Sequence, residues 1–184
     1  RFRKHIKVEP EIFYCECDRL GMIVFQDMVN NSDYSFIKDS GLPTIGLRRR
    51  SDKNMHSDPE RRRIFTEMME RTVRQLYDHP SVCYWTIFNE GWGQFDADSM
   101  YDRLKALDQS RFIDGTSGWF HQKKSDVDSY HVYFKKAELQ LGKRPLVLSE
   151  FGGYTCRVDG HCYNDKTYGY KKFNGRAELL AGLR

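Results

Sequence analysis

Short continuous apolar runs alternate along this chain with stretches whose apolar residues recur at helical spacing. Residues 10–20 carry Ile12, Phe13 and Leu20 at roughly that spacing behind a proline in the first turn, and predict a helix that Gly21 ends. Met22, Ile23, Val24 and Phe25 follow as an apolar run that stops at Gln26 and Asp27, the pattern of a strand buried on both faces. After a long polar segment, Asp58, Pro59 and Glu60 open a second helix that runs through Ile64, Met68, Val73 and Leu76 to Tyr77. Residues 81–88 predict a full strand, 96–107 its helix, with Met100, Leu104 and Leu107 on one side, and 111–114 a short strand leading into a loop that ends at Gly118 and Trp119. A strand-like segment over 126–133, a short helix over 135–141, a strand at Leu146, Val147 and Leu148, and a closing helix over 176–183 complete the reading.

Apolar strands alternating with amphipathic helices predict βαβ units around a parallel sheet with right-handed crossovers, about five of them. In such folds the functional groups collect at the carboxyl ends of the strands. Those ends carry Gln26 and Asp27, Asn89 and Glu90, Asp114, the stretch from Tyr130 to Tyr133, and Glu150. Two of them stand out, because the runs YWTIFNE over 84–90 and PLVLSE over 145–150 pass from buried strand straight into a carboxylate. Two strands thus deliver two acids to one rim. Glycoside hydrolysis needs such a pair: one carboxylic acid protonates the leaving oxygen while a second carboxylate attacks the anomeric carbon or activates water.

Composition narrows the classes further. A chain of 184 residues is long enough for one domain with a real core. The net charge of +4 is modest, and its basic clusters at 48–50 and 61–63 read as solvated surface, so no nucleic-acid partner is expected. Five cysteines is an odd number, and Cys15 and Cys17 lie two apart on a predicted helix, where they do not face each other; no disulfide framework is expected. Cys156, His161 and Cys162 match no zinc-binding spacing. No run of eighteen apolar residues is present, so no membrane span is expected, and no signal peptide opens the sequence. The reduced-looking cysteines favour the cytoplasm, while a first residue of Arg rather than Met leaves secretion or a periplasmic location open. The many Tyr and Trp side chains, each a flat apolar face with a polar tip, suit stacking on sugar rings as well as ordinary packing.

The segment HPSVCYWTIFNE over 79–90 closely resembles the acid/base signature of glycoside hydrolase family 2, which includes β-galactosidases, β-glucuronidases and β-mannosidases, and PLVLSEFGG over 145–153 resembles that family's nucleophile strand. Arg3, Lys4 and His5, followed by Glu9 and Pro10, resemble the end of the second barrel strand and the start of its helix, and 20–27 resembles the third strand; the likeness runs from residue 1 to about residue 154. The resemblance implies a (β/α)8 TIM barrel and a retaining mechanism acting on a carbohydrate substrate. It makes Glu90 the general acid/base and Glu150 the nucleophile, gives Asn89 a hydrogen bond to the sugar 2-hydroxyl, and makes Tyr133 the contact of the nucleophile, with Tyr130 in that place if the register slips. His5, Trp119 and His131 become rim candidates for the sugar, Trp119 either as a stacking ring or as a lid on the core, and Asp27 orients a rim side chain. Glu90 must be protonated to act as an acid, and like-charge repulsion from Glu150 is expected to raise its pKa.

The sequence departs from the family in two respects. Residues 28–33, MVNNSD, lack the Glu-Thr-His pattern of magnesium-binding members, so no catalytic metal or other cofactor is expected. A complete barrel needs about 250 residues, so the expectation is an incomplete barrel of about five to six βα units, roughly strands 2/3 to 7. It would be the middle of a larger protein whose flanking β-sandwich domains are missing. Its open sheet edges would serve as association surfaces, with a homo-oligomer as one consequence. Three functions compete: a retaining exo-β-glycosidase, an endo-acting glycanase of the same barrel clan, and a sugar-binding remnant without turnover. The HPSVCYW lead-in favours the first. Asn164, Asp165 and Lys166 have the Asn-x-Lys form that binds the sugar carboxylate in glucuronidases, but they follow Glu150 too closely to correspond, so the sugar is not identified.

Overall fold

The computed structural model describes residues 1–30, 35–41, 51–133, 141–164 and 166–183. Four parallel strands lie side by side in chain order: β1 (Phe2–Lys4), β2 (Val24–Asp27), β3 (Val82–Asn89) and β4 (Phe112–Ser117). The helices α1 (Glu11–Arg19), α2 (Pro59–Leu76) and α3 (Ala97–Leu107) alternate with them. Asp126 N donates to Ile113 O at 2.8 Å and so carries the array on to β5 (Asp128–Val132), which pairs in parallel with β6 (Leu146–Phe151). A further parallel pair, β7 (Tyr154–Cys156) with β8 (Lys171–Phe173), and a last helix, α4 (Arg176–Gly182), follow. Among the described residues these strands form three separate sheets and do not close into a ring. The order is that of a partial TIM barrel.

Local chemistry sets the element ends. Gly21, at φ 64, takes the left-handed conformation that stops α1. Asp58 caps α2 by accepting from Glu60 N at 2.9 Å and Arg61 N at 3.1 Å, a cap worth about 1 kcal/mol. The buried face of α2 is Phe65, Met69, Val73 and Leu76, whereas Ile64 and Met68 are exposed. The expected face is therefore shifted by one residue over the first half of the helix. Phe65 decides it by stacking on Phe88 of β3 at 4.9 Å and meeting Phe95 edge-on at 5.5 Å. Full burial of a side chain of this size contributes about 1.5–3 kcal/mol.

The foot of β3 is held by ion pairs. His79, buried, places Nδ1 at 2.6 Å from Asp18 and Nε2 at 3.0 Å from Glu11, and Asp18 also accepts from Ser81 N at 2.8 Å. This clamp fixes α1 against the start of the strand that ends at Asn89 and Glu90.

Other expectations shift. The strand placed at 111–114 runs on to Ser117, and the one placed at 146–148 runs on to Phe151, so Glu150 lies within β6 rather than after it. Arg62 is not solvated surface: it donates to the carbonyls of Lys53, Met55 and His56 and covers the ring of Phe95 at 4.8 Å. Arg63 pairs with Glu60 and Glu67 on the exposed face. The polar segment contains a short π-helix, Phe36–Gly41, which the sequence pattern did not predict. The cluster at 48–50 and, but for its last residue, the helix expected over 135–141 lie outside the described residues. All five cysteines are free thiols, and no described helix is long and apolar enough to cross a membrane.

Candidate active site

The carboxyl ends of β1, β2, β3 and β6, joined by the segment after β5, bring their polar residues to one point. Glu90 directly follows β3 with φ 52, an uncommon conformation for a residue with a side chain, and its N–H donates to Ser117 O at 2.9 Å, which ties it to β4. Gly91 at φ 77 and Gly93 at φ 62 continue the turn. Strained backbone of this kind persists only where the surroundings over-determine it.

The two carboxylates share one phenol. Tyr133 Oη lies 2.5 Å from Glu150 Oε2 and 2.7 Å from Glu90 Oε1. Facing atoms of Glu90, His131 and Glu150 all lie within 4.8 Å of one another. Tyr130, the alternative to Tyr133, points elsewhere, with its ring 6.1 Å from that of His121.

Arg3 is the hub of the cluster. Its Nε and Nη2 form a fork on Asp27 at 3.0 and 3.1 Å, Nη2 also donates to Asn89 Oδ1 at 2.7 Å, and Nη1 donates to Glu150 Oε1 at 2.5 Å and lies 3.3 Å from His131 Nε2. The bond to Asn89 fixes the orientation of its amide, with the oxygen toward Arg3. Sequence reasoning placed Arg3 in a strand-end motif but assigned it no role. The signal was the crowding of Asp27, Glu90, Asp114 and Glu150 at strand ends, since buried carboxylates gathered at one point require a cation.

His131 is fully enclosed and spans the cluster. Nδ1 lies 2.7 Å from Glu90 Oε1, and Nε2 lies 3.0 Å from Ser117 Oγ, which in turn lies 3.1 Å from Ser149 Oγ. Gly118, at φ +86, lets this ring in: a Cβ there would stand 2.5 Å from Nδ1.

These contacts reverse the expected electrostatics of Glu90. Burial pushes its carboxyl up, but the hydrogen bond and charge of His131, with the Tyr133 hydroxyl, outweigh burial and hold it below the usual range. The rise expected from Glu150 does not prevail. Asp27 is likewise pushed up by burial and pulled below the usual range by His5 and Arg3. The hydrogen bond that His5 Nδ1 makes to Asp27, at 3.2 Å, raises the His5 imidazole. Asp114, beneath the cluster, is raised by burial despite hydrogen bonds from Ser129 and Tyr84, each at 3.0 Å.

Of the residues singled out in the sequence, Asp27, Asn89, Glu90, His131, Tyr133 and Glu150 join one hydrogen-bonded network. His5 touches it through Asp27 and remains half-exposed, with its ring 6.3 Å from that of Trp92. Trp119 flanks it, its ring 6.5 Å from that of His131. Asp27 and His131 are enclosed, and their partners here are protein groups rather than an open rim. Glu90, His131 and Glu150 form the only trio of metal-type donors among the described residues. The Arg3 guanidinium already stands against two of the three, Glu150 and His131. Residues 31–33 of the segment compared with the magnesium site lie outside the described residues.

A parallel strand array with paired carboxylates at its carboxyl ends is the architecture of a barrel hydrolase domain. Residues 8–174 match the glycosyl hydrolases family 2 TIM barrel domain, and the chain belongs to that family. A β-galactosidase of Aeromonas hydrophila is 30% identical over 124 residues, 67% of this chain and 10% of the relative. A β-galactosidase of Leuconostoc mesenteroides is 24% identical over 155 residues, 76% of this chain and 14% of the relative. The chain thus spans about a tenth to a seventh of the length of these curated relatives. Among solved structures, a family 2 β-galacturonidase from Eisenbergiella tayi bound to galacturonate aligns with a TM-score of 0.47 and 17% identity, over 71% of this chain and 22% of that one. A β-glucuronidase from an uncultured Clostridium aligns with a TM-score of 0.43 and 16% identity, over 72% of this chain and 23% of that one.

Proposed function

We propose that this chain carries the catalytic centre of a retaining exo-β-glycosidase, with Glu150 as nucleophile and Glu90 as acid/base. The observation that supports it best is the single Tyr133 hydroxyl in contact with both carboxylates, whose facing oxygens lie within 4.8 Å. Retaining enzymes hold their carboxyl groups about 5–5.5 Å apart, whereas inverting ones leave about 6.5–9.5 Å for a water. Exo action is part of the same proposal, in keeping with the HPSVCYW segment that leads into Glu90.

In the first step a Glu150 oxygen forms a bond to the anomeric carbon. The glycosidic C–O bond breaks, and its electron pair stays on the leaving oxygen, which takes a proton from Glu90. In the second step Glu90 takes a proton from water, the water oxygen bonds to the anomeric carbon, and the ester bond to Glu150 breaks. Arg3 and Tyr133 each donate to one oxygen of Glu150 and aim it. Asn89, fixed through Arg3, presents its amide N–H to the sugar 2-hydroxyl.

Glu90 gives up its proton in the first step and regains one in the second, with His131 Nδ1 2.7 Å from its Oε1.

The test is a panel of nitrophenyl β-glycosides given to the full-length protein and to its Glu90→Gln variant. The variant should keep the first chemical step on leaving groups that need no protonation and lose it on poor ones. Equal loss on both kinds of substrate would remove Glu90 from the role of acid.

A further inference from the structure

The chemistry above leaves two aromatic side chains on the Tyr133 side of the cluster without a role. Tyr170, just before β8, sets its ring 4.8 Å from that of Tyr133, whose hydroxyl joins Glu90 and Glu150. Tyr168 stands edge-on to Tyr170 at 6.0 Å. Tyr170 is 42% exposed and Tyr168 is 85% exposed. Neither is core.

Glycines build this placement. Gly153, at φ +64, follows the strand that carries Glu150, and a Cβ there would stand 2.4 Å from the Tyr170 ring. Tyr170 N donates to Gly153 O at 2.8 Å. A Cβ on Gly169 would stand 2.9 Å from the Thr155 side chain and 3.1 Å from Gly153 O. The Tyr168-Gly169-Tyr170 segment is therefore pressed backbone to backbone against the residues after β6, with the Tyr170 ring against Tyr133 and the Tyr168 ring edge-on to Tyr170. A pyranose has an apolar C–H face and a rim of hydroxyls. Tyrosine matches it with a flat apolar ring and a polar tip, and ligand clefts are lined by aromatics around a few fixed polar groups.

We propose that Tyr168 and Tyr170 form a stacking wall for a pyranose ring adjoining the scissile bond. The inference rests on the glycosidase reading. On it, the carboxylates and Arg3 act on the anomeric centre, and the tyrosine wall holds a ring by its face.

The experiment uses the full-length protein and separates the two claims. Turnover by the wild type and its loss in Glu150→Gln establish the reading; a wild type inactive on every glycoside of the panel overturns it, and the wall with it. Binding is then measured by calorimetry on the Glu150→Gln form, with the nitrophenyl β-glycoside that the wild type turns over fastest and with the free monosaccharide. Tyr168→Ala and Tyr170→Leu should each weaken glycoside binding about tenfold, the effect of losing one apolar contact in a pocket, while Tyr168→Phe binds as the parent does. Weakening of the monosaccharide as well places the wall at the transferred sugar; weakening of the glycoside alone places it on the leaving-group side. Tyr168 is exposed, so its removal leaves the fold intact, and unchanged affinity for both ligands in Tyr168→Ala overturns the proposal. A fall in kcat with unchanged affinity in Tyr170→Leu would reduce Tyr170 to a prop for Tyr133 and overturn its half.

Discussion

Replacing Tyr133 by Phe removes one oxygen and little else. The ring that packs against His131 at 6.0 Å and Tyr170 at 4.8 Å is retained, so the change reports on the hydroxyl and not on packing. That hydroxyl lies 2.5 Å from Glu150 and 2.7 Å from Glu90, within the range of a phenol donating to an ionised carboxylate. A hydrogen bond to a charged group contributes about 1.5–3 kcal/mol. If it is made fully when Glu150 attacks, its loss should lower kcat/KM by roughly ten- to a hundredfold, at about 1.4 kcal/mol per factor of ten. The assay is steady-state hydrolysis of a good and a poor aryl β-glycoside by the full-length variant, with the thermal midpoint as a control for folding. A kcat/KM within twofold of wild type on both substrates would refute the claim that this hydroxyl aims the nucleophile.

Two further substitutions test the histidine. In His131→Leu the burial of Glu90 is less opposed, so its pKa should rise. Because Glu90 acts as an acid only when protonated, activity falls as pH climbs through that pKa, and the alkaline limb of the kcat/KM profile should lie at higher pH than in wild type; a limb at lower pH would contradict the pairing. Gly118→Ala places a Cβ 2.5 Å from His131 Nδ1 at a φ of +86. It should displace the ring and, at about a hundredfold for a 1 Å misplacement, depress kcat with KM little changed; normal kcat would show that the ring's position is not critical.

Much of the strand order was legible because buried parallel strands read as unbroken apolar runs, and an acid that ends such a run is conspicuous. Glu90 and Glu150 were visible on that ground alone. The face of α2 was not, since Ile64 and Phe65, and again Met68 and Met69, are adjacent apolar pairs whose periodicity admits two registers; contact with Phe88 and Phe95 chooses between them. Arg3 escaped notice because its strand is three residues long and arginines elsewhere in the chain read as surface. Strands β7 and β8 are equally short and mixed in composition, so no period marks them, and with them went the placement of Tyr168 and Tyr170. The lowered pKa of Glu90 depends on a histidine forty-one positions away, a contact only the fold creates.

The central claim is that Glu150 becomes covalently bonded to the sugar. Incubating the full-length protein with an activated 2-deoxy-2-fluoro β-glycoside of its substrate sugar, which slows the second step more than the first, should trap the intermediate. Peptide mass spectrometry should then find one fluoroglycosyl group, on the peptide spanning β6 and on Glu150 within it. A label on any other side chain, or no label together with a first-formed product of inverted anomeric configuration, would contradict the account.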